Sequence, residues 1–206
     1  MKSLVGLGLG ATGVSPCALH AQELSSGLYS VKQQQAVRKG LHWLASRIQE
    51  DGSFGPSGYQ RNLAVMSLGG LAFLAGGHLP DRGPYGKHVS QLVDFVLQHA
   101  QQNGLIGAPN EGVRGLMYGH GFATLFLAQV YGVTRQRETR PALSNAIDLI
   151  VSTQNEEGGW RYQPAKKDAD ISVTVCQTMA LRAARNAGFF VPRQTITAAK
   201  DYVLNL

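Results

Sequence analysis

Apolar positions along the chain fall in two alternating kinds of segment. The first kind is amphipathic. In "VSQLVDFVLQHA" (89–100) the apolar residues Val89, Leu92, Val93, Val96 and Leu97 recur at helical spacing. "AVRKGLHWLASRI" (36–48) and "LSNAIDLIVST" (143–153) have the same character. The second kind is apolar on more than one face and rich in Ala and Gly: "NLAVMSLGGLAFLAGG" (62–77), "GHGFATLFLAQVYG" (119–132) and "SVTVCQTMALRAARNAG" (172–188). Such segments read as the more buried helices. Gly76 or Gly77, Gly132 and Gly188 stand where left-handed residues end helices. Strand signals are almost absent, so the pattern predicts an all-α fold.

A polar, glycine-bearing turn links each amphipathic segment to the buried one that follows. The turns are "IQEDGSFG" (48–55), "AQQNGLIG" (100–107) and "TQNEEGGW" (153–160). Aligning Gln49, Gln102 and Gln154 gives a repeat of roughly fifty residues. The unit is a helix, a Gly-rich corner and a helix. One such hairpin cannot bury both its faces, so neighbouring units must stack. "QTITAAKDYVLNL" (194–206) opens a fourth unit and stops before its corner, so the repeat domain, 22–206, reads as truncated in its fourth repeat. That reading leaves an open end for a protein partner to cover.

The N-terminus reads as a signal peptide over 1–21. Lys2 gives a positive start, "LVGLGLGATGV" (4–14) an apolar stretch too short to span a membrane, and "ALHA" (18–21) the small residues of a cleavage site after Ala21. The expected location is therefore periplasmic or extracellular. No other segment has the apolar length of a transmembrane helix. With Cys17 removed, Cys176 would be the remaining cysteine, with no partner for an intramolecular disulfide.

Of the residues, 44% are hydrophobic and 16% charged, which suits a packed core rather than a disordered chain. The net charge of +6 comes from scattered residues, and the densest cluster, "RQRETR" (135–140), contains a glutamate. That is a solvated basic surface and not a nucleic-acid footprint. The six histidines are dispersed, and no Cys/His group has metal-ligand spacing, so neither a metal nor a cofactor is expected.

"QNEEGGWRY" (154–162), on alternating amphipathic and buried helices, resembles the QW-type repeat of terpenoid cyclases and protein prenyltransferase β-subunits, the prenyltransferase and squalene oxidase repeat. The resemblance covers most of 33–206, and its inner helices are similar to those of secreted bacterial members of uncharacterised role. It implies an α/α toroid, here partial, with an outer and an inner ring of helices, and a hydrophobic or isoprenoid ligand.

Squalene-type cyclases protonate an alkene with an unusually strong carboxylic acid from an Asp-x-Asp-Asp motif. In "KKDADIS" (166–172), Asp168 and Asp170 match its first and third positions, and Ile171 replaces the fourth. As a catalytic pair, Asp170 would be the acid with Asp168 beside it. As structure, Asp170 or Ser172 would cap the third buried helix. A prenyltransferase zinc site from Asp170, Cys176 and His120 does not match the family's spacing. His120 lies between glycines at an expected helix start, where backbone can approach a ligand. Tyr118 and His120 are the expected binding residues, rimming one mouth of the toroid with Asp168 and Asp170. The intact corners and the broken acid motif favour a non-catalytic ligand-binding or scaffolding module. The alternative is a terpenoid cyclase or prenyltransferase-type enzyme that uses Asp170 as acid.

Overall fold

The computed structural model describes residues 29–107 and 112–205. The signal peptide read at 1–21 lies outside them. The described residues are helical, with no strand beyond the isolated bridges Leu79–Arg82 and Ala100–Ile106. In chain order the helices are α1 (Val31–Ala45), α2 (Leu63–Ala75), α3 (Gly86–Gln98), α4 (Gly112–Thr134), α5 (Thr139–Thr153), α6 (Ile171–Asn186) and α7 (Arg193–Leu204). The protein is all-α, as the periodicity predicts.

The chain divides into two compact units, Met1–Gly40 and Leu41–Leu206. In the first, Ser30 and Gln33 form a capping box at the start of α1. The Gln33 N–H donates to Ser30 Oγ at 3.3 Å, and the Ser30 N–H donates to Gln33 Oε1 at 2.8 Å. Two backbone donors that the first helical turn leaves free are thereby satisfied.

In the second unit the Ala- and Gly-rich helices α2, α4 and α6 pack on one another in chain order. The amphipathic helices lie against this row: α3 on α2, α5 on α4 and α6, and α7 on α6. Composition explains the arrangement. The sequence of α2, LAVMSLGGLAFLA, has no charged residue, and its glycines let neighbours come close. The Phe54 ring lies against Gly69 and the Phe126 ring against Gly70. In α4, Ala123, Phe126, Leu127, Ala128 and Val130 are all buried.

Three corners, one within each hairpin, share one backbone geometry. The N–H groups of Gln49, Gln101 and Asn155 donate to the carbonyls of Ser53, Leu105 and Gly159 at 2.9, 2.8 and 3.0 Å. The N–H groups of Gly52, Gly104 and Gly158 then donate back to Gln49, Gln101 and Asn155 at 3.0, 3.0 and 3.1 Å. Each of these glycines has positive φ: 81°, 89° and 94°. Two residues later a large apolar side chain, Phe54, Ile106 or Trp160, is buried.

The structural equivalents are therefore Gln49, Gln101 and Asn155, which corrects the alignment through Gln102 and Gln154. What repeats is a backbone turn around a glycine, and the side chain that opens it is free to vary. A Cβ on Gly52, Gly104 or Gly158 would collide with the carbonyl of Gln91, Asn145 or Ala198, respectively. Those carbonyls belong to α3, α5 and α7, the first helices of the following units. Each corner thus seats the next unit.

Two helix ends match the expected glycine stops. Gly77 and Gly188 have φ of 83° and 93°. At Gly132 the expectation fails. Helix α4 runs on to Thr134, and Arg135 takes the left-handed conformation at φ 55°. Arg135 is held there by a 2.8 Å bond from its Nη1 to the Ala187 carbonyl and by stacking over the Tyr131 ring.

Gly158→Ala is expected to lower stability by about 2–4 kcal/mol, from left-handed strain together with the collision at the Ala198 carbonyl. Gly58→Ala, also at positive φ but with nothing within 4 Å, is expected to lose only about 1 kcal/mol. Urea unfolding of both variants checks the difference. Equal losses would remove the packing role assigned to the corner glycine.

Candidate functional site

The loop from Trp160 to α6 carries the acidic candidates. Trp160 anchors it. Its indole N–H donates to the Ile150 carbonyl at 2.8 Å, and its backbone N–H donates to Thr174 Oγ1 at 3.0 Å. The loop is also pinned by the Asp170 N–H to the Trp160 carbonyl (2.9 Å) and by Asn155 Nδ2 to the Lys167 carbonyl (2.8 Å). These bonds fix Asp170 at the start of α6.

Asp170 is the N-cap of that helix, with extended backbone. Its Oδ1 accepts from the N–H of Ser172 at 2.9 Å and of Val173 at 3.2 Å. The same oxygen accepts from Ser172 Oγ at 2.5 Å. Its Oδ2 accepts from the Tyr162 hydroxyl at 3.1 Å. With its proton committed to Asp170, Ser172 Oγ accepts from the Tyr118 hydroxyl, 2.5 Å away. The result is a chain from Tyr118 through Ser172 to Asp170, met from the other side by Tyr162.

A carboxyl group that accepts at both oxygens is at home as an anion. The Ser172 hydroxyl, with the Val173 and Ser172 N–H groups and the Tyr162 hydroxyl, holds the Asp170 pKa below the usual carboxylate value, against a smaller opposing effect of burial. The same contact raises the pKa of Tyr162. Every partner of the Asp170 carboxyl group in this arrangement is a donor.

The other candidates are placed apart from this chain. Asp168 forms a 2.7 Å ion pair with Arg161, whose guanidinium lies over the Tyr162 ring. Both side chains are solvent-accessible, so the pair contributes little to stability. Asp168 lines a half-open pocket of about 170 Å³ with Arg161, Tyr162, Gln163, Ala165 and Lys167. That is below the roughly 300–1,000 Å³ of pockets that enclose a drug-sized ligand.

His120 does not rim an opening. Helix α4 begins at Gly112, so His120 is well inside the helix rather than at its start, and it is fully buried. Its Nδ1 accepts the Ile106 N–H at 3.1 Å, which leaves Nε2 to face the Ala146 carbonyl at 3.3 Å as the donor. The ring therefore ties the second corner and α5 to α4. Burial lowers its pKa to about 4, so it is neutral at physiological pH.

Cys176 is buried, with its pKa pushed up to about 12, and is a packing residue rather than a thiolate ligand. No group of three His, Cys, Asp or Glu side chains among the described residues could hold a metal ion. The aromatics of the buried helices are core: Phe73 and Phe126 are fully enclosed. Tyr118 and Phe122 are only partly covered.

The structure thus links Tyr118 to Asp170 through Ser172, places Asp168 on the same loop but in an ion pair with Arg161, and leaves His120 elsewhere. Ser172 was legible as an alternative cap. Tyr162 was not, because its contact with Asp170 depends on how the loop closes; the only hint was an aromatic two residues after the buried Trp160. No family model matches the chain, and no curated protein matches it.

A pH effect follows from His120. Its folded pKa of about 4 lies below the ordinary 6.5. Between those values the unfolded chain binds a proton that the folded chain refuses. Stability is therefore full above pH 6.5 and falls as the pH drops towards about 4, by about 3 kcal/mol. Burial lowers the pKa values of His78 and His88 too, so they add to the loss with the same sign. His120→Gln, which keeps an acceptor and a donor, should flatten most of this slope in urea unfolding across that range. An unchanged slope would show that His120 is not its source.

Proposed function

We propose that the chain is a non-catalytic scaffolding module of the prenyltransferase and squalene oxidase repeat type, part of an α/α toroid, that acts by presenting helix faces to a partner. One observation carries this reading. The residue best placed by resemblance to be the acid, Asp170, has both carboxylate oxygens taken up in capping α6 and in holding Ser172 and Tyr162. Repetition of the corner geometry supports the repeat-family reading. The small pocket beside Asp168 and the enclosed aromatics weigh against a cyclase cavity.

Export follows from the signal-peptide pattern in the sequence, and no described helix is long and apolar enough to cross a membrane. An isoprenoid or other hydrophobic ligand remains the class that the resemblance implies. Tyr118 and Phe122 of α4, which are partly covered, are where such a ligand would meet the chain in that reading.

Incubation of the full chain with squalene and with prenyl diphosphates tests the reading. No product is expected. Asp170→Ala is expected to cost about 1 kcal/mol of stability through the lost cap, with no other consequence. A product formed by the wild type and abolished by Asp170→Asn would overturn the scaffold reading in favour of an enzyme.

A further inference from the structure

Basic residues that are scattered in sequence come together at one end of the second unit, away from the corners. Arg135, Arg137 and Arg140 lie where α4 passes into α5, and Arg185 and Arg193 lie where α6 passes into α7. The two connections touch. Arg135 Nη1 donates to the Ala187 carbonyl at 2.8 Å, and the Arg140 guanidinium lies 5.2 Å from the centre of the Phe189 ring. The Tyr131 ring meets the Phe189 ring edge-on at 5.1 Å and serves both arginines. Arg140 Nη1 donates to its hydroxyl at 3.0 Å, and Arg135 lies over its face at 5.4 Å. Next to Phe189, Phe190 is 85% exposed, the most exposed large apolar side chain among the described residues.

These cations lack counter-charges. None of the five arginines is ion-paired among the described residues, whereas Arg61 and Arg161, at the corner end, pair with Asp51 and Asp168. Glu138, the acid in this stretch and the N-cap of α5, makes no capping bond and lines a groove with Asp81 and Asp94 of the α3 side.

Stability does not account for the arrangement. A cation is favoured at the C-terminus of a helix and disfavoured at the N-terminus. Arg135 and Arg185 stand at the C-terminal ends of α4 and α6, which suits them. Arg140 and Arg193 stand in the first turns of α5 and α7, and neither turn contains an acid. Arg140 is compensated by Tyr131 and Phe189. Arg137 and Arg193 are exposed and have no side-chain partner among the described residues, so the fold gains nothing from their charge.

We propose that this end of the second unit docks on a lipid bilayer with anionic headgroups, the five arginines meeting the headgroups and Phe190 entering the interface between them. Charge complementarity carries the choice of occupant, and the bare aromatic sharpens it. An apolar tip flanked by unpaired guanidiniums fits a surface that is anionic outside and apolar beneath. A nucleic acid would be met by a stripe of cations with interleaved aromatics, and here the cations are gathered about one tip. The proposal goes beyond the scaffold reading and does not need it. Isoprenoid turnover would remove the scaffold and leave the docking, whereas failure to dock would leave the scaffold.

Flotation of the full chain with phosphatidylcholine vesicles, with and without phosphatidylglycerol, tests it. Binding should require phosphatidylglycerol and weaken as salt is added. Arg137→Gln combined with Arg193→Gln, which removes no contact of the fold, should bind about 25-fold more weakly, at roughly fivefold for each lost charge. Phe190→Ser should bind about tenfold more weakly. The emission of Phe190→Trp should shift to the blue on these vesicles by more than that of the wild type. The apolar stretch at 4–14 is the same in every one of these chains, so the differences between them report this end alone. Equal binding with and without phosphatidylglycerol overturns the proposal. So do variants that bind as the wild type does, a Phe190→Trp emission that does not move, or binding to duplex DNA without binding to vesicles.

Discussion

The second unit depends on one close approach. At each corner a glycine with positive φ lies so near a carbonyl of the next amphipathic helix that no side chain fits between them. The contact does two things together. It turns the chain from one helix towards the next, and it sets the distance to the following hairpin. The buried residue two positions later then fills the space between, and in the third corner the Trp160 ring also bonds back to the Ile150 carbonyl. Turn, spacing and core are consequences of the same few atoms.

The polar residues of the interior serve this joint. His120 and Thr174 come from different helices and differ in chemistry, yet each accepts the N–H of the buried corner residue. A buried backbone donor without a partner is costly, and the outward turn of the corner leaves that donor with none in its own segment. The protein meets one recurrent need with whichever side chain the position holds. His120, a lone histidine between glycines, serves the corner in this way.

Most of the fold was legible from spacing. Helical periodicity, alternating composition and the recurring glycine turn gave the helices and their order, because these depend on short stretches of chain. The register of the corners was less legible, since Gln102 and Gln154 resemble Gln49 in type while the backbone equivalence runs through Gln101 and Asn155. The extent of α4 was missed for a similar reason: glycines at 119 and 121 suggested a start, but inside a packed row they serve close contact between helices. In the candidate site, the capping role of Asp170 followed from its place before an apolar run. Its partner Tyr162 comes from the loop, and Tyr118, which reaches it through Ser172, from a different helix; local sequence carries little of such contacts.

Because each corner glycine closes on the first helix of the hairpin after it, that joint specifies a neighbour and never a total. Nothing in the contact at Gly52, Gly104 or Gly158 registers how many hairpins precede or follow. Adding or removing a whole hairpin would leave the remaining joints as they are.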